Sequence, residues 1–419
     1  MEYGPMRRRR HLVLAGLVVA TVLAVAAART LVPPENVCPD FIQFWTAAQA
    51  LSQGQDPYDP AMQAAVQGSL GWKKADQGLG VYDFLPYYYP PWLALAVVPL
   101  LPLGYPLAKI VWLVVGAEWM LASAALLLPL AGEVSAVVVF VLFAAFGFSI
   151  KAVAMGQVAP LVLFLVVLSW RFLEERRDVA AGACLALLTI KPQLTLVLIA
   201  ALLAWSWRMR RRSVAISFVA TLVAVCAAAT AAFPAWPGSL AAATRVTPMP
   251  TFYYPGLGTT WLVALDTAGV GGFLRSVAYC AVVVPLLLAV MRIALREDRP
   301  LSELYSLALL APFFVAPYAR PYDFPILLMP ALVLLATRLA ELGRAMLVFA
   351  LVAVAGLQIL YLTANYEAPV VGVRRPEFTY FWVPALLGLI WLCCPWKGSR
   401  KHATDLTADR ISIEPRRPR

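Results

Sequence analysis

Long apolar runs separated by short polar joints dominate the chain. Thirteen such runs fall at about 12–28, 88–103, 105–131, 133–150, 158–173, 178–190, 192–207, 213–233, 271–294, 302–318, 323–338, 344–364 and 379–395. A helix that crosses a bilayer needs roughly 20 mostly apolar residues. The pattern therefore predicts an all-α, polytopic membrane protein that holds a bundle of about 11 to 13 transmembrane helices.

The longest polar interruption covers about 33–86 and is too short to bury a core of its own. It must pack on the membrane part, so 1–395 is expected to form one transmembrane domain, followed by a polar tail over 396–419. Apolar residues at helical spacing predict a helix over 40–52 with one apolar face, suited to the membrane interface; they are Phe41, Phe44, Trp45, Ala48 and Leu51. The segment GQDPYDP that follows is typical of turns.

Composition and charge agree with this picture. The chain is 62% hydrophobic and only 14% charged, with a net charge of +11. The basic residues cluster at the ends of apolar runs, as in the positive-inside pattern. They do not form a stripe that could follow a nucleic-acid backbone, so no nucleic-acid partner is expected. Both termini and the tail are predicted to be cytoplasmic.

The count of apolar runs conflicts with two termini on one side, because an odd number of crossings would separate them. At least one run must therefore be re-entrant, a half-span or part of a broken helix. The short run before Lys191 and the Pro-rich run after Tyr89 are the candidates. Non-helical backbone at membrane depth is tolerated only beside protein or water, so such a break predicts a cavity.

Metal and cofactor chemistry is not expected from the residues present. The chain has only two histidines, His11 and His402, and both are predicted to be cytoplasmic. No Cys-x-x-Cys, Walker or Rossmann pattern occurs. We therefore predict no metal site and no cofactor.

Asp40 is the first candidate for chemistry, since it directly precedes the predicted juxtamembrane helix. One interpretation is an N-cap, with Gln43 completing a capping-box pattern. The other is a general base that takes a proton from an acceptor hydroxyl. The two roles are compatible.

Lys191 and Gln157 lie next to apolar runs. A charge at the depth of Lys191 is costly without a partner, so it is predicted to meet a lipid phosphate; the alternative is snorkelling to the interface. Gln157 could hydrogen-bond a sugar hydroxyl or satisfy a broken helix.

A late outer loop adds Arg320, Tyr322 and Asp323, in the segment APYARPYDFPILLMP. The simplest interpretation is an Arg320–Asp323 ion pair. The alternative is that Arg320 neutralises a phosphate leaving group while Asp323 orients it. Aromatic residues of the outer loops, Tyr89 among them, are expected at the membrane interface, with stacking on a sugar as the alternative.

Five segments in the same order resemble glycosyltransferase family 87: DFIQFWTAAQALSQGQDPYDP, YYYPPWLALAVVPL, GQVAPLVLFL, LLTIKPQLTLV and APYARPYDFPILLMP. The resemblance covers roughly 10–395. It implies a GT-C architecture and metal-independent, inverting sugar transfer. It also implies that Asp40 is the base and that Lys191 and Arg320 bind the donor phosphate. The substrate cavity would include Gln43, Tyr58, Gln157, Tyr322 and Asp323.

The resemblance thus implies a hexosyltransferase with a polyprenyl-phosphate sugar as donor, a lipid or glycan as acceptor, and membrane lipids around it. The site would face outward from a bacterial cytoplasmic membrane. The mannosyltransferase branch of the family resembles this chain except for a histidine in the late outer loop, where this chain has Tyr322 and Asp323. The sugar is therefore left open. The rival classes are a flippase for a lipid-linked glycan and a polysaccharide ligase or polymerase.

Overall fold

The computed structural model describes residues 38–72, 84–131, 136–246, 260–296, 300–316, 318–336 and 382–393. Within these ranges every regular element is a helix, which confirms the predicted all-α class. Three helices are long and apolar enough to cross a membrane, and a bent pair of helices would make a fourth. The apolar runs predicted at 12–28 and 344–364 and the tail over 396–419 lie outside the described residues.

The segment predicted to be the first outer loop contributes helices α1 (Phe41–Ser52) and α2 (Pro60–Ser69). The helix predicted over 40–52 is confirmed, but its predicted single apolar face is wrong. Other elements cover nearly all of α1, because only Ser52 is exposed. The helix belongs to a buried aromatic cluster that includes Phe44, Tyr87 and Trp112.

The remaining helices follow the predicted apolar runs closely. They are α3 (Pro91–Val97), α4 (Tyr105–Leu127), α5 (Ala136–Ala145), α6 (Gly147–Ala154), α7 (Ala159–Glu174), α8 (Asp178–Leu187), α9 (Pro192–Arg208), α10 (Arg212–Ala232), α11 (Trp236–Val246), α12 (Thr260–Thr267), α13 (Gly272–Ala294), α14 (Leu301–Leu310), α15 (Pro312–Val315), α16 (Leu328–Leu334) and α17 (Trp382–Cys393). Short 3₁₀ helices continue α3 (Val98–Leu103), α4 (Leu128–Leu130) and α8 (Leu188–Ile190), and one over Pro321–Leu327 precedes α16. Helices α11 and α12 are the exceptions, because they fall outside the predicted apolar runs.

Several of these helices are short or broken. The run predicted as continuous over 133–150 is instead divided between α5 and α6, which are bent by 51°. The runs before Lys191 and after Tyr89 both form helices shorter than 18 residues. Proline contributes to these breaks, since Pro192 has no N–H to donate and opens α9 directly after Lys191.

Close packing of small residues joins α8 to α10. A Cβ placed on Gly182 would lie 2.3 Å from the carbonyl oxygen of Val214, so only glycine permits this approach. At the ends of the same helices, Arg211 forms an ion pair with Asp178 and donates to the carbonyl of Leu173 at 2.8 Å. The loops that join α7 to α8 and α9 to α10 therefore lie on the same side of the bundle.

Candidate active site

The candidate site forms where the start of α1 meets the joint between α6 and α7. The N–H of Cys38 donates to the carbonyl of Ala154 at 2.7 Å, and the N–H of Asp40 donates to the carbonyl of Met155 at 3.0 Å. Two backbone hydrogen bonds thus fix Asp40 against a segment more than a hundred positions later in the chain.

Gly156 makes this approach possible. Its φ of +73° lies in the left-handed region, and a Cβ there would lie 3.0 Å from the Cβ of Cys38 and 3.2 Å from that of Phe41. Trp112 donates from Nε1 to the carbonyl of Gly156 at 2.8 Å and holds it from the other side.

The carboxylate of Asp40 accepts a hydrogen bond from the amide of Gln157, and both side chains are buried. The N-cap interpretation of Asp40 is wrong. Its backbone is already helical and its side chain caps no N–H of α1. Gln43, the expected partner in that cap, is buried one turn further along the helix.

Burial raises the pKa of Asp40 from about 4 to about 6. The hydrogen bond from Gln157 opposes this shift, as do the positive charges of Arg320, Lys191 and Lys151. Asp40 lies outside the candidate membrane-spanning helices. It therefore changes protonation in the range where a general base would have to work.

Lys191 lies at the break between α8 and α9, where it forms an ion pair with Asp323. The side chains of both residues are almost fully buried, at 1% and 0% exposed. Lys191 therefore does not snorkel to an interface. The carboxylate of Asp323 pairs with Lys191 and also accepts a hydrogen bond from the backbone N–H of Arg320 at 3.0 Å.

Aromatic rings surround the two cations. Lys191 Nζ lies 5.1 Å from the ring centre of Tyr322, and the guanidinium of Arg320 lies 5.7 Å from that of Tyr318 and 5.9 Å from that of Tyr322. The hydroxyls of Tyr318 and Tyr322 are 3.0 Å apart. These rings hold the positive charges without neutralising them.

Tyr89 enters the site from the segment before α3. Burial raises its pKa to about 12, and Lys191, Asp323 and Asp40 all act on it electrostatically. Tyr58 donates to the backbone carbonyl of Tyr89 at 2.8 Å. Tyr58, predicted to line the cavity, thus holds the segment that carries Tyr89.

Two buried glutamines of α2 hold the same segment. Gln67 exchanges hydrogen bonds with the backbone of Leu85, at 2.8 and 2.7 Å, and Gln63 accepts from the N–H of Tyr87 at 2.9 Å. The side-chain amides of Gln63 and Gln67 thus make the hydrogen bonds to the backbone of residues 85–87 that a neighbouring β-strand would otherwise make. The outer-loop helix therefore positions Tyr89.

The structure brings most of the predicted site residues to this region, where breaks between helices converge: Asp40, Gln157, Lys191, Arg320, Tyr322 and Asp323. Tyr58 reaches it through Tyr89, and Gln43 lies in α1, about one turn after Asp40. Three residues that were not predicted as site residues also lie here, Tyr89, Tyr318 and Lys151. Tyr89 and Tyr318 lie in segments that carried the family resemblance, which was the available signal. Within the described part of the chain, no three His, Cys, Asp or Glu side chains lie close enough together to hold a metal ion.

A helical membrane protein with a buried carboxylate, an amide and several cations at one set of helix breaks has the features of a membrane transferase site. The family model of glycosyltransferase family 87 matches residues 87–317, more than half of the chain. The chain belongs to this family and is a membrane glycosyltransferase. The match includes Gln157 and Lys191, whereas Asp40, Arg320 and Asp323 lie outside it. Comparisons with curated proteins and with solved structures gave no match.

Proposed function

We infer that this glycosyltransferase moves a hexose from a polyprenyl-phosphate sugar to a hydroxyl of a lipid or glycan acceptor. The reaction takes place at the outer face of a bacterial cytoplasmic membrane, in a GT-C-type bundle. The meeting of Asp40 and Gln157 carries the proposal: it presents a buried carboxylate with a raised pKa beside several cations, in a chain of a transferase family.

In the proposed reaction, Asp40 takes the proton of the acceptor hydroxyl as its oxygen attacks the anomeric carbon. The new glycosidic bond forms on the face opposite the leaving group, so the configuration inverts. The bond from the anomeric carbon to the phosphate oxygen breaks, and polyprenyl phosphate leaves with the electron pair.

Arg320 and Lys191 stabilise the charge on the departing phosphate. Arg320 is partly buried, whereas Lys191 is almost fully buried and pairs with Asp323. Lys191 then acts mainly through the field it adds at Asp40 and at the phosphate. The leaving group is a phosphomonoester, so the proposed reaction needs no metal ion.

The test is sugar transfer by purified protein in detergent with EDTA present. Synthetic polyprenyl-phosphate mannose and polyprenyl-phosphate glucose serve as donors, and a membrane lipid extract supplies acceptors. We expect turnover that survives the chelator and falls at least about a thousandfold in Asp40→Asn, which keeps the shape of the side chain but cannot act as a base.

Asp56→Asn is the matched control, since Asp56 lies in the same predicted outer loop and, among the described residues, its side chain accepts a local hydrogen bond from the backbone N–H of Tyr58 at 2.9 Å. Its turnover should stay close to wild type. Consumption of neither donor would refute the proposed donor class. Normal turnover in Asp40→Asn would refute only the assignment of Asp40 as the base and would leave the donor class unaffected.

A further inference from the structure

The side-chain oxygen of Gln157, Oε1, is a buried polar atom without a hydrogen-bond donor among the described residues. The side chain of Gln157 is 3% exposed, and its Nε2 donates to Asp40. Burying an acceptor without a hydrogen-bond donor is unfavourable, so the site is incomplete without a donor at this position.

The orientation of the amide is fixed by chemistry. An ionised carboxylate only accepts hydrogen bonds, so Gln157 must present its NH₂ group to Asp40 and its oxygen elsewhere. A flip would set two acceptors face to face. The backbone is equally fixed, because the N–H of Gln157 donates to the carbonyl of Ala152 at 2.9 Å and Gly156 is packed against Cys38.

The unpaired Oε1 of Gln157 is therefore separated from Asp40, the proposed base, by a single amide group. The second oxygen of Asp40, Oδ1, also has no hydrogen bond within the described ranges, although the side chain is 5% exposed. Two acceptors side by side, one on a base and one on a neutral amide, match a molecule that donates two hydrogen bonds from neighbouring hydroxyls.

We propose that Gln157 is a specificity-determining residue whose Oε1 accepts a hydrogen bond from a second hydroxyl of the acceptor, on a carbon next to the reacting one. The acceptor is then a sugar or polyol with vicinal hydroxyls, and a simple alcohol is a poor substrate. The inference rests on the proposed transfer reaction with Asp40 as the base.

The test measures kcat/KM for octyl mannoside and for its mono-deoxy analogues, with either polyprenyl-phosphate hexose as donor. The analogue that is not glycosylated at all identifies the reacting position. We expect one analogue that lacks a neighbouring hydroxyl to react about 10- to 100-fold more slowly than octyl mannoside in the wild type.

In Gln157→Met the ratio of kcat/KM for octyl mannoside to that for this analogue should fall to about one. The variant lacks the Oε1 atom that accepts the hydrogen bond from the second hydroxyl. The loss of the hydrogen bond to Asp40 slows both probes alike and leaves the ratio unaffected. Gln49→Met, the same change at a half-buried position of α1 outside the site, should keep the wild-type ratio.

Three results would overturn the inference. A penalty that persists in Gln157→Met would assign the second hydroxyl to another residue, and equal rates in the wild type would mean that Oε1 binds a resident water instead. In both cases the proposed function would stand. If neither donor is transferred to any probe, the proposed function fails and this inference fails with it.

Discussion

Asp40 combines two demands that oppose each other at the scale of one residue. A general base must be ionised, but burial favours its neutral form and raises its pKa. Arg320, Lys191 and Lys151 supply the opposing field that keeps the pKa at about 6. Removing the charge of Arg320 should therefore raise the pKa of Asp40.

The pH dependence of transfer tests this balance. Asp40 must be ionised to act as the base, and its pKa is about 6. The plot of kcat/KM against pH should therefore have an acidic limb below about pH 6, along which kcat/KM falls about tenfold for each pH unit. The charge of Arg320 lowers the pKa of Asp40, so Arg320→Gln should raise this pKa and shift the acidic limb to higher pH. This shift is expected whether or not the maximal kcat/KM also changes. The measurement is the pH profile of kcat/KM for both proteins.

Arg171→Gln provides the control for the loss of one positive charge. Arg171 pairs with Glu175 at 2.7 Å near the far end of α7, so its limb should match the wild type. An unchanged limb in Arg320→Gln, or a limb at lower pH, would show that Arg320 does not act on the base.

At this scale the sequence predicted candidate side chains but not which of them meet. Asp40, Gln157, Lys191, Arg320 and Asp323 were all recognised, since a polar group beside an apolar run needs a reason to be there. Their pairing depends on contacts between distant segments. Local rules therefore suggested an N-cap for Asp40, which the structure lacks, and could not identify Lys191 as a partner of Asp323.

At the scale of elements, the ion pair between Lys191 and Asp323 joins the break before α9 to the 3₁₀ helix that precedes α16. Removing one partner leaves a buried charge, so Lys191→Met and Asp323→Leu should each destabilise the protein by about 3–5 kcal/mol. The double variant removes both charges and should recover at least half of that loss. Thermal unfolding of the purified proteins in detergent measures these differences.

Glu175→Gln is the matched comparison for that cycle, because it breaks an ion pair whose side chains are about one-third exposed. It should cost less than about 1 kcal/mol. Additive losses in the double variant at Lys191 and Asp323 would show that the two side chains do not depend on each other.

The contact between α1 and the α6–α7 joint depends on Gly156. Gly156→Ala adds a Cβ that meets Cys38 and Phe41 and also imposes a left-handed backbone on an L residue. It should destabilise the protein by more than the roughly 1–2 kcal/mol of backbone strain alone and should lower kcat/KM, because it separates Asp40 from Gln157. Thermal unfolding and transfer assays on the same preparation check both effects.

Gly269 isolates the strain from the collision. Its φ of +70° is nearly the same, but a Cβ there would meet nothing within 4 Å. Gly269→Ala should therefore show the cost of strain only and keep its activity. Equal losses in the two variants would mean that the close approach at Gly156 has no role of its own.

The sequence predicted the helices of this bundle well and their interruptions less well. Apolar runs of helical length are a strong signal, and most of the observed helices begin and end within a few residues of them. The bend between α5 and α6 was missed because Phe146 and Gly147 interrupt neither the hydrophobicity nor the charge pattern. Helices α11 and α12 were missed because their polar surroundings resemble an ordinary loop.

At the scale of the whole molecule, the site and the basic loops lie at opposite ends of the same helices. Helix α7 begins just after Gln157 and α9 just after Lys191, and both run for 16 to 17 residues to the joints that Arg211 and Asp178 hold together. A helix of this length spans about 25 Å, close to the thickness of the hydrocarbon core of a bilayer. The site and the Arg-rich joints should therefore face opposite sides of the membrane.

Epitope insertion tests this separation. We expect a short tag after Gln53, in the exposed turn between α1 and α2, to bind antibody on intact cells, since that turn lies on the side of the site. The same tag after Arg176, between α7 and α8, should bind only after permeabilisation, because basic joints remain cytoplasmic. Both tagged proteins must retain sugar transfer for the comparison to count. Staining of the Arg176 tag on intact cells, with the Gln53 tag hidden, would place the site on the cytoplasmic side and exclude a donor held in the outer leaflet.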